Sequence, residues 1–548
     1  MRKRMVGIGA VLCACLLLQA QERERVSLSV AHQIRDEAFG RNSKVMDTSF
    51  YLTDVHGPRL TGSPQAKRAA EWAVQKLTEW GLVNAKMEPW GSSFGKGWEC
   101  TRYVAMMKAP EFQPIIGFAA PWSSSTAGDV TGDAVLAIIN TPEELEQWKG
   151  KLKGKMVLTA APHADELPVT PLAVRLSDAE LAAAAVAPDP ASGNPSSLPL
   201  GFVRNAPLNG GPVGGGRGGA AAGRGGRGAG GAGNFRAQLA KFWKDEGVLV
   251  LVIPGGGTAD GGTIMGQGQV LRTAADEAPL PTVIIANEHY NRITRLLEKS
   301  IPVSLEFDIQ TKFTDVADSY NITAEIPGTD PRAGLVMVGG HFDSWTGGTG
   351  ATDNGAGAAI AMESVRILKS LNLKTARTIR VGLWTGEEQG LLGSRAYVKE
   401  HFADPADMKP KPEHAKLAAY FNLDNGGGKI RGIYMQDNDE MRPIFEAWLE
   451  PFKDLGASTL TIRNTGSTDH VSFDSVGLPA FQFIQDPLDY GTRTHHSNMD
   501  VYDRLQVNDM EQASAVEAWC VYNAAVRPEM LPRKPMPKPG AGRGGRGQ

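Results

Sequence analysis

Residues 334–354, GLVMVGGHFDSWTGGTGATDN, decide the fold. The apolar run 335–338 predicts a buried strand, closed by Gly339 and Gly340 ahead of His341 and Asp343. A loop rich in Gly and Thr, residues 344–352, then leads to Asp353 and Asn354 at the mouth of an Ala-rich helical pattern over 355–371. A histidine that ends a strand and an aspartate that opens the next helix suit a metal site, provided that later segments supply further ligands. Taken alone, the same stretch also reads as a helix-capping aspartate beside a hydrogen-bonded loop histidine.

Outward from this stretch the strand, loop, helix unit repeats. Strands are expected at 321–326, 335–338, 378–384, 416–423 and 479–484, with helices at 355–371, 391–401, 442–452 and 508–526. Such alternation predicts an α/β fold, a sheet flanked by helices on both faces. Upstream, 26–57 reads as helical. Residues 65–80 place Ala69, Ala70, Trp72, Ala73, Leu77 and Trp80 at helical spacing, with Gly81 as C-cap. Short alternating segments such as 102–108 follow. From residue 109 the character changes: strands are expected at 132–140, 155–160, 248–253, 281–286 and 303–307, and helices at 141–149 (Thr141 capping on Glu144) and 288–299. This reads as a separate strand-rich insert. Within it, residues 210–234, GGPVGGGRGGAAAGRGGRGAGGAGN, lack the apolar side chains of a core and are expected to be mobile, as is the Pro, Lys, Gly and Arg tail at the chain's end.

Composition narrows the classes. The 548 residues carry a net charge of −3, which gives no global pull towards nucleic acid or an anionic membrane surface. Arg217, Arg224, Arg227, Arg543 and Arg546 resemble RGG elements that bind single strands. Aromatic interleaving is limited to Phe235, so a flexible insert loop is the reading taken and no nucleic-acid partner is expected. Residues 1–4 are basic, 5–18 apolar and 18–20 (Leu-Gln-Ala) an acceptable cleavage site, which predicts a signal peptide over 1–20 and a periplasmic or secreted protein. A lipobox-like Leu12-Cys13-Ala14-Cys15 leaves a lipid anchor as the alternative, and no other membrane attachment is expected. Cys100 and Cys520 remain after cleavage; they could form one disulfide in an oxidising compartment, and neither a zinc ribbon nor CxxC chemistry is open to two cysteines.

Open α/β sheets place ligand sites outside the carboxyl ends of their strands. The expected strand ends carry His341 and Asp343, then Glu387 and Glu388 in TGEEQG, then Asp424 in FNLDNGG, then His495 and His496, with Asp353 at a helix start between the first two. Imidazole and carboxylate without thiolate suit zinc or a similar borderline ion. Five such groups with one shared carboxylate suffice for two ions, and the adjacent pair Glu387 and Glu388 offers one ligand and one general base.

These residues resemble the M28 family of co-catalytic zinc peptidases: His341-Phe342-Asp343-Ser344, Asp353-Asn354, Glu387-Glu388, Asp424, and His496 with Asp500 four residues on. Gly57-Pro58-Arg59-Leu60-Thr61-Gly62-Ser63 resembles the exported carboxypeptidase Q-like members, and the insert resembles a protease-associated (PA) domain. The resemblance implies an α/β fold of zinc-exopeptidase (phosphorylase/hydrolase-like) type with a mixed central sheet. It implies a catalytic domain in two parts, 21–108 and 313–530, a PA-like insert at 109–312 and a disordered tail at 531–548. His341 and Asp424 would hold one zinc, Glu388 and His496 the other, and Asp353 would bridge both. Glu387 would take a proton from the metal-bridging water and pass it to the leaving amine, while Asp343 would orient His341 through its other ring nitrogen. Family members commonly have a tyrosine just before the last histidine; here His495 fills that slot, and His495 and Tyr490 are the candidates for the oxyanion partner. His470 in STDHVSF is expected to be structural. The implied function is an exported di-zinc exopeptidase acting on peptides or dipeptides. A glutaminyl cyclase-like enzyme with a single zinc, or a non-catalytic binding protein that uses the insert, is the alternative. The sequence leaves open which peptide terminus is recognised, and whether the chain is a monomer or a homodimer.

Overall fold

The computed structural model describes residues 24–162, 167–188, 200, 229–256 and 261–539. The half that carries residues 334–354 is built on a mixed sheet. From one edge its strands run Thr459–Thr461, Ile430–Tyr434, Ala480–Gln485, Leu417–Asn422, Leu335–His341, Thr378–Trp384 and Ser304–Ile326. Ala480–Gln485, Leu417–Asn422, Leu335–His341 and Thr378–Trp384 run parallel. The long Ser304–Ile326 strand closes that side antiparallel. Every residue of Leu335–His341 is buried, as a parallel strand covered on both faces requires. Gly339 is needed there because a Cβ would sit 1.9 Å from the carbonyl oxygen of Gly382 on the neighbouring strand.

Helices cover both faces. Ala356–Ser370 and Val507–Val526 are buried along nearly their whole length, and each carries buried polar residues, Glu363 and Arg366 in the first and Asp509, Gln512 and Glu517 in the second. They share one core with Leu28–Ala38, Pro64–Glu79 and Arg442–Leu449. On the other face Leu392–His401 and His470–Asp474 pack a second cluster containing Trp384, Tyr397, Phe402, Tyr420 and Phe473.

A second sheet lies in the insert: Asp129–Leu136, Met156–Leu158, Val250–Pro254 and Thr282–Ile285 are parallel, with Gly117–Ala119 antiparallel at the edge. The two halves are joined by a long antiparallel ribbon, Val83–Ala109 against Ser304–Ile326, which runs from Val83 opposite Glu325 to Ala109 opposite Ser304. The insert leaves and returns through this ribbon, so the division expected at 312 falls inside a continuous strand.

Several local expectations are corrected. The single helix over 26–57 breaks into Leu28–Ala38, Val45–Phe50 and the π-turn Tyr51–Val55, because Gly40 turns the chain at φ +67°. The helix from Arg442 stops at Leu449 and tightens into the 3-10 turn Glu450–Leu455, where Pro451 lacks a donor. The tail is ordered further than expected. Leu531 is buried, Lys534 pairs with Asp474 at 2.5 Å, and Arg533 donates to the carbonyls of His414, Ala415 and Leu417. The last residues of the Gly/Arg-rich segment belong to the helix Ala229–Asp245; its remainder and residues 1–20, where a signal peptide is expected, lie outside the described residues. Cys100 and Cys520 are free thiols, Cys520 buried and Cys100 half-buried. Among the described residues no helix is long and apolar enough to cross a membrane.

Candidate metal centre

Parallel strands deliver their carboxyl ends to one side of the sheet, and four of them deliver the side chains at issue. His341 is the last residue of its strand. Glu387 and Glu388 follow Trp384 around the left-handed Gly386. Asp424 follows Asn422 by two residues. The π-turn Tyr490–Thr494 brings His495 and His496 back after the Ala480–Gln485 strand.

Asp353 stands at the centre of the cluster. Its Oδ1 lies 3.2 Å from His341 Nε2, and its Oδ2 lies 3.2 Å from His496 Nε2. Each histidine has a carboxylate of its own: Asp424 Oδ1 is 3.2 Å from His341 Nε2, and Glu388 Oε2 is 3.0 Å from His496 Nε2. His495 stacks on His496 with ring centres 3.7 Å apart and holds its Nε2 3.9 Å from Asp353 Oδ2. Tyr490 is buried and meets His495 edge-on.

Why Asp353 is available follows from its neighbours. Asn354, not Asp353, caps the following helix: its Oδ1 accepts from Gly357 N at 2.9 Å and its Nδ2 donates to Leu423 O at 2.8 Å. Asp500 grips the turn, its carboxylate accepting from Thr352 N, Thr352 Oγ1 and Asp353 N at 2.6, 2.7 and 3.2 Å. The capped-loop reading of residues 334–354 is thereby divided: Asn354 takes the capping, and Asp353 is left to face two imidazoles.

Asp343 reaches the other ring nitrogen of His341 mainly through its main chain. Its main-chain carbonyl meets His341 Nδ1 at 3.0 Å, while its carboxylate Oδ1 stands 3.7 Å away. The carboxylate instead accepts from Glu387 N at 3.2 Å and from Thr61 Oγ1 at 2.8 Å, and Thr61 Oγ1 accepts from Gly386 N at 2.8 Å. Asp343 thus ties the glutamate loop to the histidine strand. Arg59, fully buried, holds the other loop by donating to the carbonyls of Leu52, Phe342, Thr349 and Gly350. This is the physical content of the GPRLTGS motif. Thr61→Val leaves Asp343 Oδ2 and Gly386 N without this partner in a buried place, a loss of about 1–3 kcal/mol. We expect its thermal unfolding midpoint to fall, with Thr61→Ser close to wild type; a midpoint unchanged in the valine variant would contradict the tie.

The electrostatics are those of an acid-rich buried cluster. Burial lifts Glu387 and Glu388 well above the ordinary carboxyl value, their carboxylate neighbours adding to it against His341. Burial would lower His341, yet Asp424, Glu387, Asp343 and Asp353 lift it well above its usual value. Burial would likewise raise Asp353, but the three histidines hold it below the usual range. Asp500 is pushed up to about 7 by burial and the charge of Asp353. Asp353 Oδ2 and Glu388 Oε1 are buried acceptors that make no hydrogen bond. Two triads, His341 with Asp353 and Glu388, and Asp353 with His495 and His496, bring one donor atom each within 4.8 Å of one another. Imidazole and carboxylate oxygen in this number fit zinc, and a cation would relieve both the charge crowding and the orphaned acceptors.

The structure therefore brings His341, Asp353, Glu388, Asp424, His495 and His496 together, with Glu387 and Tyr490 against them. His470 lies apart, its Nε2 bonded to Gln436 and Thr465 O, and burial lowers it to about 4. Sequence reasoning missed Thr61 and Arg59 as supports, and it quoted Asp500 without a role. It also missed Gln267 of the insert, whose amide nitrogen is 2.6 Å from His496 Nδ1.

Residues 321–519 match the model of peptidase family M28. Carboxypeptidase Q from Mus musculus is 31% identical over 254 residues, 46% of this chain and 52% of that protein, so the chain spans about half the length of this relative. Against carboxypeptidase Q from Homo sapiens the match is 24% over 483 residues, 88% of this chain and 85% of the other. The peptidase M28 precursor from Shewanella amazonensis SB2B superposes with a TM-score of 0.62 at 25% identity, covering 93% of this chain and 98% of its own. The zinc aminopeptidase BSAP from Bacillus subtilis shares the fold, with a TM-score of 0.52 at 19% identity over 88% of this chain and 94% of its own. The segment 321–519 that matches the M28 family model carries His341, Asp353, Glu387, Glu388, Asp424 and His496.

Proposed function

We propose that the chain is a di-zinc exopeptidase that removes a terminal residue from peptides or splits dipeptides. One observation carries the reading: Asp353 turns one oxygen to His341 and the other to His496, each at 3.2 Å, and each histidine has a carboxylate of its own. In that arrangement His341 and Asp424 would hold one ion, Glu388 and His496 the other, and Asp353 would be shared by the two. Zinc held by these residues would supply a Lewis acid to lower the pKa of water and draw charge from the carbonyl oxygen. Glu387 takes the proton of the attacking water and returns it to the leaving amine. Tyr490 and His495 are the candidate donors to the developing oxyanion, and Asp343 and Thr61 keep the Glu387 loop in place. Export, expected from residues 1–20, is part of the same proposal.

The test is incubation of the zinc-loaded protein with a defined peptide mixture, read by mass spectrometry. Stepwise loss from one terminus, abolished by a chelator and restored by zinc, is the expected result. Intact peptides in the presence of bound zinc would refute it. Cyclisation of an N-terminal Gln peptide with about one zinc per chain would transfer the reading to a glutaminyl cyclase-like enzyme.

A further inference from the structure

We propose that Gln267, supplied by the insert, is a positioning residue for His496, so that the metal centre is completed from outside residues 321–519. The inference rests on the reading of His496 as a zinc ligand. It is carried by the way in which one short piece of the insert is laced to the chain around that histidine. Gly266 N donates to His496 O at 3.1 Å, and Met265 pairs with Ser497 as an isolated antiparallel bridge. Asn498 N donates to Ile264 O at 3.1 Å. Its side chain accepts from Ile264 N at 2.7 Å and donates to Gly262 O at 2.9 Å.

This lacing fixes a backbone that would otherwise relax. His496 has φ +58°, in the left-handed region that a residue with a Cβ seldom adopts, and the cross-chain bonds hold it there. Gln267 in turn is clamped on both sides. A Cβ on Gly266 would stand 2.3 Å from Ile284 Cδ1, and one on Gly268 would stand 2.4 Å from Pro121 O, so the chain around Gln267 is pressed on the insert's own core. From that seat the Gln267 amide reaches His496 Nδ1 at 2.6 Å, on the ring edge away from Asp353 and Glu388, which face Nε2.

The chemistry asks for such a group. An imidazole that ligates through Nε2 carries its proton on Nδ1 and needs an acceptor there to set the tautomer and the ring plane. An amide offers a donor and an acceptor, so by turning about its last bond Gln267 serves the ring with zinc bound and without it. A carboxylate would serve the zinc-bound ring alone, and a methionine would fill the space and serve neither.

The experiment is a competition titration of zinc against a chromogenic chelator for wild type, Gln267→Met and Gln267→Glu, beside thermal melts taken in chelator. Wild type is expected to bind two zinc ions. Gln267→Met should lose about 10- to 100-fold in affinity for one of them and keep the other, with an unchanged melt, while Gln267→Glu should retain both. Two zinc ions held with wild-type affinity by Gln267→Met would overturn the proposal. So would equal weakening in Gln267→Met and Gln267→Glu, since packing alone would explain that. Peptides left intact by a wild type whose zinc affinity depends on Gln267 would refute the peptidase reading and leave this inference standing. A wild type that binds no zinc would sink both.

Discussion

Glu387→Gln should fold, take up its full zinc and lose about 100- to 10,000-fold in kcat, the scale of a general base removed. The loop that carries the residue is held independently of its carboxylate. Asp343 Oδ1 accepts from Glu387 N, and Glu387 O accepts from Gly390 N and Leu391 N at 2.7 and 2.9 Å. An amide therefore keeps the main chain in place while removing the capacity to take a proton. Glu388, its neighbour in sequence, makes the useful contrast. Its Oε2 is 3.0 Å from His496 Nε2, whereas Glu387 makes no ion pair among the described residues. Glu388→Gln should thus lower zinc content first and turnover as a consequence; Glu387→Gln should lower turnover at unchanged content. If KM is little altered in Glu387→Gln, the loss lies in the chemical step rather than in binding. Full turnover in a zinc-replete Glu387→Gln protein would remove the residue from the role of base.

The two glutamates also show what can be read from the chain and what cannot. A parallel sheet buried on both faces writes itself as short apolar runs that stop where the chain reaches solvent or a site, and the polar residues at those stops are legible. The strand Thr378–Trp384 lies at its expected bounds, and the helix Val507–Val526 begins one residue early. His341, Glu388, Asp424 and His496 converge because each follows such a stop. The ribbon was harder to read. Gly91, Gly95 and Gly97 interrupt the alternation of Val83–Ala109, and shifts of register beside them absorb the irregularity, so only its last third resembles a strand in sequence. Strands Ile430–Tyr434 and Thr459–Thr461 were missed for their brevity and mixed composition. The supports of the site were invisible for a different reason. Thr61, Arg59 and Gln267 act through contacts that span 282, 283 and 229 residues of chain, and a single side chain carries no periodic signal. Asn354 and Asp353 are the sharpest case: adjacent residues, both able to cap a helix, and only the direction of their side chains assigns one to the helix and the other to the histidines.

That division makes Asp353→Asn the most direct trial of the bridge. The turn should survive the change, because Asp500 binds the main chain at Thr352 and Asp353, and Asn354 caps the helix without help from its neighbour. What changes is one oxygen of two. An amide keeps an acceptor for one imidazole-bound ion and presents an NH2 group, which cannot ligate, to the other. The expected result is zinc content falling from two per chain to one or fewer, by elemental analysis after dialysis, with kcat/KM lower by at least about 100-fold, the scale of one preorganised electrostatic group lost. Asp424→Asn is the matched control. Asp424 is 3.2 Å from His341, so its loss should weaken one ion and spare the one at Glu388 and His496. The two variants separate a shared ligand from a terminal one. If Asp353 bridges, its amide variant disturbs both ions and cannot be rescued by excess zinc, whereas Asp424→Asn recovers activity as zinc is raised. Retention of two tightly held ions by Asp353→Asn would mean that the two histidines belong to separate sites, and that the carboxylate between them serves to orient rather than to bind.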